Sequence, residues 1–342
     1  MGAREGARAL LAIVVGTLAG TVVCAVPVNA VAAAGGLDPS FGSGGEVSFP
    51  LSLRGEEQGG TPTALLFTVA GSIEIAGTAS PPHGGEWRAF AARVGEDGAL
   101  DPSFGTGGSV VTGLPPSDEG PGLLPDHSVE AGILEGDGAL VVVGPRTQGR
   151  FTSGGAFDGS FEAGNSPLNS FALASLSGGE VLAAGETPTE GNGSRYATLE
   201  RLQANGAPDL SFGKEGLVQL PGRGGPKVQE SARSMLVLED GDILIAGVGV
   251  TYGEGVKEET YDWVARVTPS GSLDPSFGQG GKQYVPALTP YQGERGVALA
   301  REPDGVIVLA GDEPTSTGHW QAAAWGFLPD GSPDPSFAPQ TE

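Results

Sequence analysis

The stretch that decides the fold is LDPSFGQGG at residues 273–281. Its centre is an Asp followed two residues later by Ser-Phe, and this Asp-x-Ser-Phe phrase occurs six times along the chain. The phrases lie 51 to 65 residues apart and begin at Asp38, Asp101, Asp158, Asp209, Asp274 and Asp334. Self-similarity at a loosely fixed period is typical of propellers, solenoids and arrays of modules. The sequence therefore predicts a repeat protein.

Residues 1–34 are typical of an export signal. Arg4 and Arg8 precede an apolar run at residues 9–23, and small residues follow, as in a cleaved signal peptide. The run is shorter than the roughly 20 apolar residues of a spanning helix, although an uncleaved anchor is the alternative. A lipid anchor on Cys24 is disfavoured because Val23 stands where such signals carry a small residue. Without this leader the chain has no cysteine, so disulfides cannot stabilise it.

The unit that ends with the fifth phrase shows the plan of the repeat. Apolar stretches separated by turn residues predict four strands, at residues 217–220, 234–238, 243–247 and 262–267. Asp240-Gly241 lies between the second and third stretches and favours a β-hairpin. Equivalent turn residues recur in all five units, and no segment after the leader has sustained helical periodicity. We therefore predict an all-β chain.

A second hairpin leads into each phrase and fixes a cross-strand register. If a five-residue loop closes it, the residue eight positions before the phrase Asp lies opposite that Asp. This count pairs Arg93 with Asp101, Arg150 with Asp158, Arg201 with Asp209 and Arg266 with Asp274. Only the fifth unit departs, with Gly326 opposite Asp334. We predict structural pairs worth roughly 0.2–1 kcal/mol each, and an anion site lined by arginines is the alternative.

The phrase itself is predicted to be structural. Its phenylalanine can fill the interface between units, because an aromatic side chain buries a large area. Its Asp and Ser are predicted to bond backbone amides in a turn. A calcium loop is disfavoured, since the phrase lacks the dense run of oxygen ligands that calcium requires.

These phrases and their flanks resemble the bacterial delta-60 repeat. The resemblance rests on LDPSFGSGG at residues 37–45, LDPSFGTGG at residues 100–108 and WVARVTPSGSLDPSFG at residues 263–278. It extends over residues 35–338 and leaves residues 339–342 as a C-terminal tail, while the copies at Asp158 and Asp209 depart from the pattern. The resemblance implies an exported β-propeller domain with no defined activity.

The repeat predicts a β-propeller of five four-stranded blades, each built from a unit of about 60 residues, because propellers have four to eight such blades. A phrase stands near each end of the sequence, at Asp38 and at Asp334, as in a ring whose ends meet in one blade. An open array that needs a partner or an additional copy is the alternative.

The sequence contains few motifs that indicate catalysis or metal binding. The three histidines, at His83, His127 and His319, have no zinc-ligand spacing, and the chain contains neither a nucleophile elbow nor a phosphate-binding loop. Paired carboxylates are the one enzyme hypothesis that remains, since 40 of the 41 Asp and Glu follow the leader and glycosidases need two carboxylate residues.

The net charge is −23, or −24 once the two Arg and one Glu of the leader are removed. That charge opposes binding to nucleic acid and to anionic lipid.

A loop at residues 251–261, with the start of the strand after it, is the candidate ligand site. Loops carry function disproportionately, and this one places acids beside aromatic rings, a combination suited to a sugar or a cation. The candidate residues are Glu254, Glu258, Glu259, Tyr261, Asp262 and Trp263.

We therefore predict a secreted or surface-displayed monomer that acts as a non-enzymatic binding module for a protein or glycan at the cell surface. It needs no cofactor and, after signal cleavage, does not bind a membrane. One alternative is an exported carboxylate-dependent polysaccharide hydrolase or lyase. The other is a structural surface protein stabilised by a cation such as Ca²⁺.

Overall fold

The structure is a computed structural model, and it describes ten segments of the chain. They are residues 36–82, 87–112, 128–145, 147–162, 166–188, 193–224, 227–253, 256–286, 297–314 and 320–337. The predicted leader, the predicted tail and the three histidines lie outside the described residues.

The described chain is all-β, as predicted, apart from one 3-10 turn at Ser177–Gly179. The strands fall into five successive units. Unit 1 contains β1 (Leu51–Leu53), β2 (Glu56–Phe67), β3 (Ile73–Ser80), β4 (Arg88–Val94) and β5 (Ser109–Thr112). Unit 2 contains β6 (Ala131–Leu134), β7 (Leu140–Gly144) and β8 (Thr147–Phe151). Unit 3 contains β9 (Asn169–Ser175), β10 (Val181–Pro188), β11 (Arg195–Leu202) and β12 (Leu217–Gln219). Unit 4 contains β13 (Lys227–Val237), β14 (Ile243–Gly253), β15 (Val256–Val267) and β16 (Lys282–Pro286), and unit 5 contains β17 (Ala298–Arg301), β18 (Ile307–Pro314) and β19 (Trp320–Phe327).

Within each unit, strands that follow one another in sequence pair antiparallel. Units 1, 2 and 5 form separate sheets in the orders β1-β2-β3-β4-β5, β6-β7-β8 and β17-β18-β19. Units 3 and 4 each contribute four antiparallel strands to one eight-stranded sheet, and a single parallel bridge between Arg195 and Gln229 joins them. Each unit is therefore a local meander, as the short hairpin turns in the sequence require.

Each unit packs against the next one along the chain. Strand β2 packs against β6, β6 and β7 against β9, β9 and β10 against β13, and β13 and β14 against β17. A buried cluster fills each of these four interfaces, and each cluster includes the phenylalanine of a phrase, namely Phe104, Phe161, Phe212 or Phe277. The described strands of units 1 and 5 do not pack extensively against each other.

Each of these four phenylalanines packs against a glycine of the following unit. The rings are at most 3% exposed, and their partners are Gly155, Gly206, Gly271 and Gly331. These glycines have φ between +79° and +89°, a region that other residues rarely adopt. A Cβ on them would lie 2.8 to 3.1 Å from a ring atom of the phenylalanine. Both the backbone conformation and the close approach therefore require glycine.

An arginine completes three of these contacts. Arg93 donates to Ser153 O at 2.6 Å, Arg150 to Ala204 O at 2.8 Å and Arg201 to Pro269 O at 3.2 Å. Each acceptor is a carbonyl in the unit that follows, and each guanidinium stands 4.5 to 4.9 Å from the ring centroid of its phrase phenylalanine. We call the phrase phenylalanine, the arginine and the glycine of the next unit the unit junction.

The three junction arginines and Arg266, which has the same place in unit 4, also contact carboxylates, in two patterns. Arg150 lies 2.6 Å from Asp158 and Arg201 lies 2.5 Å from Asp209, the aspartates of their phrases. Arg93 and Arg266 are nearer to other acids, Glu74 at 2.5 Å and Asp242 at 2.6 Å, and their phrase aspartates Asp101 and Asp274 are 3.7 and 3.5 Å away. Those additional carboxylates come from the first hairpin of the unit, which the register count did not include.

The predicted place of the strand at residues 217–220 was wrong, because this strand is β12 and pairs with β11 of unit 3. The strands of unit 4 itself are longer than the sequence indicated. The ladder between β14 and β15 continues past the predicted strand ends, pairing Val250 with Thr260 and Thr251 with Glu259. The predicted loop at residues 251–261 therefore belongs largely to two strands. β-branched residues such as Val248, Val250 and Thr260 favour this extended pairing, whereas the nearby glycines and acids had indicated a loop.

Candidate functional site

The candidate ligand residues lie on β15, whose two faces separate them. Tyr261 and Trp263 are fully buried in the cluster between units 3 and 4. Asp262, 2% exposed, points to the opposite face because side chains alternate along a strand. Glu259 is exposed, whereas Glu254 and the Glu258 side chain lie outside the described part of the structure. Acid and aromatic residues that are adjacent in sequence are thus divided between two faces.

Beneath Tyr261 lies a buried ion pair between Glu230 and Lys282. Lys282 Nζ donates to Glu230 Oε2 at 2.7 Å and to Pro221 O at 2.8 Å. Glu230 Oε1 accepts from the Tyr261 hydroxyl at 3.0 Å and from the Arg223 backbone NH at 3.2 Å. Glu230 is 0% and Lys282 3% exposed. A buried charge pair of this kind is tolerated only when further hydrogen bonds satisfy both groups.

Aromatic rings surround this pair. The Lys282 ammonium lies 4.4 Å from the Trp263 ring centroid, and Trp263 Nε1 donates to Val248 O at 3.2 Å. Burial lowers the pKa of Lys282, although Glu230 opposes the shift. Burial, and next the Glu230 carboxylate, raise the pKa of Tyr284 to about 12, and burial likewise raises that of Tyr261. Both phenols therefore remain neutral hydrogen-bond donors at physiological pH.

The exposed part of the site is a rim formed by Arg223, Glu259 and Tyr284. Arg223 Nη1 lies 3.4 Å from Glu259 Oε2, and the two side chains are 33% and 55% exposed. The Arg223 guanidinium stands 5.2 Å from the Tyr261 ring centroid and 5.6 Å from that of Tyr284. The two tyrosine rings meet edge to face at 5.5 Å. We call these three residues the unit 4 rim.

The rim can donate and accept hydrogen bonds beside an aromatic ring. Sequence analysis identified Glu259 and Tyr261 but missed Arg223, Glu230, Lys282 and Tyr284. One signal could have found Lys282, because it stands eight residues after its phrase Asp. The residues at this spacing after the other five phrases are Glu46, Ser109, Ser166, Leu217 and Glu342. A lysine there is the exception in the repeat. The other three come from separate segments that converge only in the folded chain.

Within the ten described segments, no group of three or more His, Cys, Asp or Glu side chains is arranged to hold a metal ion. In the same segments, no helix has the length and apolar character needed to cross a membrane.

A family model described as a domain of unknown function (DUF5122) β-propeller matches residues 71–104. The match covers the hairpin of β3 and β4 and the second phrase of the chain. Its description agrees with the all-β architecture and the successive meanders. No curated protein sequence matches the chain.

Several solved structures are similar to this chain at low identity. A glucose dehydrogenase has a TM-score of 0.38 and 14% identity, over 77% of this chain and 82% of that one. The gluconolactonase XC5397 from Xanthomonas campestris has a TM-score of 0.31 and 12% identity, over 81% and 88%. The extracellular domain of the hybrid two-component system BT4673 from B. thetaiotaomicron has a TM-score of 0.32 and 12% identity, over 83% and 34%. The chain thus spans about a third of the BT4673 domain.

Proposed function

We propose that the protein is an exported β-propeller of delta-60 repeats that binds a neutral glycan at the unit 4 rim. In this proposal the five units are five blades, and residues 1–34 direct export. The succession of antiparallel meanders and the β-propeller description of residues 71–104 support the fold. The rim and its buried base support binding.

The observation that carries the proposal is an exposed rim held on a rigid base. Arg223 and Glu259 remain 33% and 55% exposed, whereas Glu230 and Lys282 beneath them are almost fully buried and bonded. Such a base keeps the rim in one arrangement before a ligand arrives, which reduces the entropic cost of binding.

The chemistry of the rim favours a neutral glycan. A sugar hydroxyl both donates and accepts, and the rim offers a guanidinium donor and a carboxylate acceptor 3.4 Å apart. Their charges cancel locally. The net charge of −23 repels polyanions over a longer range, so acidic polysaccharides are disfavoured.

The proposal is tested by thermal melting of the full chain with hexaoses of the cello, xylo, manno and chito series, and with oligogalacturonate and Ca²⁺ as other ligand classes. A ligand that binds only the native state raises its melting temperature. We expect a shift with at least one neutral hexaose. The Arg223→Ala variant should lose that shift, because it removes the donor of the rim.

The matched control is Arg195→Ala, which removes an arginine that is also exposed, at 49%, and also paired, with Glu186 at 2.5 Å. This control should keep the shift. No shift with any neutral hexaose, or a shift that survives Arg223→Ala, contradicts the proposal. A shift with Ca²⁺ or oligogalacturonate alone would replace the neutral glycan by that ligand.

A further inference from the structure

We propose that a cavity between units 4 and 5 binds a free α-amino acid with an apolar side chain. The cavity has a volume of about 200 Å³, which is smaller than the usual pocket for a drug-sized ligand and limits the ligand to a small molecule. None of the residues that line it belongs to the unit 4 rim. The proposal therefore does not depend on the proposed glycan site.

The cavity lies where one contact of the other unit junctions is replaced. At the three junctions before it, an arginine donates to a carbonyl two residues before the junction glycine of the next unit. Between units 4 and 5, Arg266 donates instead to Asp242 Oδ2 at 2.6 Å and to Asp240 Oδ2 at 3.0 Å. Pro329 has the place of the acceptor carbonyl, and both Arg266 and Pro329 line the cavity. The aspartates thus hold the Arg266 guanidinium in a different arrangement from its three counterparts.

The sequence of the first hairpin of unit 4 explains this difference. Asp240 and Asp242 stand on either side of the hairpin glycine, Gly241. The residues that flank the equivalent glycine in the other units are Ala70 and Ser72, Asp137 and Ala139, Gly178 and Glu180, and Asp304 and Val306. Only unit 4 therefore has an acid on both sides. Two carboxylates hold a guanidinium more strongly than one neutral carbonyl does, because both partners of the hydrogen bond are then charged.

A second guanidinium, that of Arg301, also lines the cavity. Arg301 is exposed, and the ion pairs among the described residues do not include it. It stands four residues before the hairpin glycine of its unit, Gly305, and the other units carry at this place Phe67, Leu134, Ser175 and Val237. A guanidinium can bind a carboxylate through two parallel hydrogen bonds. Arg301 is therefore the partner that we assign to the carboxylate of the ligand.

The cavity has an apolar floor and a charged mouth. Leu244 and Ile307 are each 1% exposed and belong to the buried cluster between units 4 and 5. Glu239 and Asp240, on the unit 4 side of the cavity, are exposed. Burial of apolar surface against the floor favours a ligand with an apolar side chain. The two carboxylates at the mouth attract an ammonium group.

Charges of both signs around one small cavity favour a zwitterion. An acid without an amino group would meet the carboxylates of Glu239 and Asp240, and an amine without a carboxylate would meet the guanidinium of Arg301. An α-amino acid gives each charge an opposite partner, which offsets the cost of removing it from water. Its side chain can then lie against Leu244 and Ile307.

The test is isothermal titration calorimetry of the full chain with L-valine, L-leucine, L-methionine and L-phenylalanine. The N-acetyl derivative and the amide of the tightest ligand are titrated next, because the first lacks the ammonium group and the second lacks the carboxylate. We expect one site for at least one of the four amino acids. Each derivative should bind at least about tenfold more weakly, since each loses a charged hydrogen-bond partner.

The decisive variant is Arg301→Met, which should weaken binding of the amino acid about tenfold and remove the preference for the acid over its amide. The matched control, Lys214→Met, also removes one exposed cation and should keep both the affinity and the preference. Arg223→Ala should keep them as well, so failure of the glycan proposal remains distinguishable. No binding of any of the four amino acids, or a preference for the acid that persists in Arg301→Met, would overturn the inference.

Discussion

The unit junctions and the buried ion pair of unit 4 place arginine or lysine beside aromatic rings in different ways. At the junctions, Arg93, Arg150 and Arg201 remain partly exposed, at 15%, 18% and 19% of their side chains, and repeat the same contacts. In unit 4, Lys282 is 3% exposed and its partner Glu230 is fully buried, and none of the described junction pairs has both of its charges buried to this degree. The repeated contact serves to align successive units. The buried pair of unit 4 instead lies beneath the unit 4 rim.

The largest expected effect comes from breaking a junction at its ring. Phe212→Ala should lower the free energy of unfolding by about 3–5 kcal/mol, as is typical when a buried aromatic ring is removed from a core. Chemical denaturation monitored by tryptophan fluorescence measures the change. The control is Phe337→Ala, because Phe337 has the same place in its phrase but is only half-buried. Equal losses for the two variants would show that burial at the junction is not what stabilises it.

Removing one partner of the buried pair should cost slightly less. Lys282→Met leaves the Glu230 carboxylate buried without its cation, which is expected to cost about 3 kcal/mol. The double variant with Lys282→Met and Glu230→Leu should recover much of that loss, because it also removes the uncompensated charge. Denaturation of the two variants side by side measures both effects. A double variant less stable than the single one would contradict an electrostatic origin of the cost.

Glycine can be required for its backbone conformation or for the close approach of a ring, and two glycines separate these requirements. Gly206 and Gly178 have φ of +85° and +81°, but a Cβ on Gly206 would lie 2.8 Å from the Phe161 ring, and one on Gly178 would meet nothing within 4 Å. Gly178→Ala should cost about 1 kcal/mol for the backbone conformation alone. Gly206→Ala should cost about 2 kcal/mol or more, because overpacking is added. Equal unfolding free energies for the two variants would mean that the Phe161 ring moves away from the new methyl group without a loss of stability.

The smallest expected effect is on stability at acidic pH. A hydrogen bond from Ser160, and next one from Arg150, lower the pKa of Asp158 to about 2. A depressed pKa in the folded state contributes stability above the ordinary pKa of 3.8, and this contribution is lost as the pH falls toward 2. Asp158→Asn should therefore reduce the fall in unfolding free energy between pH 4 and pH 2. An unchanged fall would assign the acid sensitivity to other carboxylates.

The features of the fold that could be predicted from the sequence are those that repeat from unit to unit. The phrases, the hairpins and the position of each phrase phenylalanine recur, so one unit explains the next, and the all-β architecture could be predicted. The register count placed Arg266 and the three junction arginines near their phrase aspartates. It did not include Glu74 or Asp242, which approach from another hairpin.

The unit 4 rim could not be predicted in the same way. Its residues Arg223, Glu259 and Tyr284 come from the segment before β13, from β15 and from β16, and no repeated pattern connects them. Reading residues 251–261 as a loop also placed Tyr261 and Asp262 on one surface, whereas the pleat of β15 directs them to opposite faces. Sites that occur once depend on tertiary convergence, and the repeat gives no second example from which to infer them.

The most direct test of the division between a repeated scaffold and a single binding rim is the melting temperature of two arginine variants, with and without the hexaose that shifts the native protein. Arg201→Met should lower the melting temperature but keep the ligand-induced shift, because Arg201 serves only the junction. Arg223→Ala should leave the melting temperature of the free protein nearly unchanged and lose the shift. The reverse pattern, in which Arg201→Met abolishes the shift and Arg223→Ala retains it, would contradict the account.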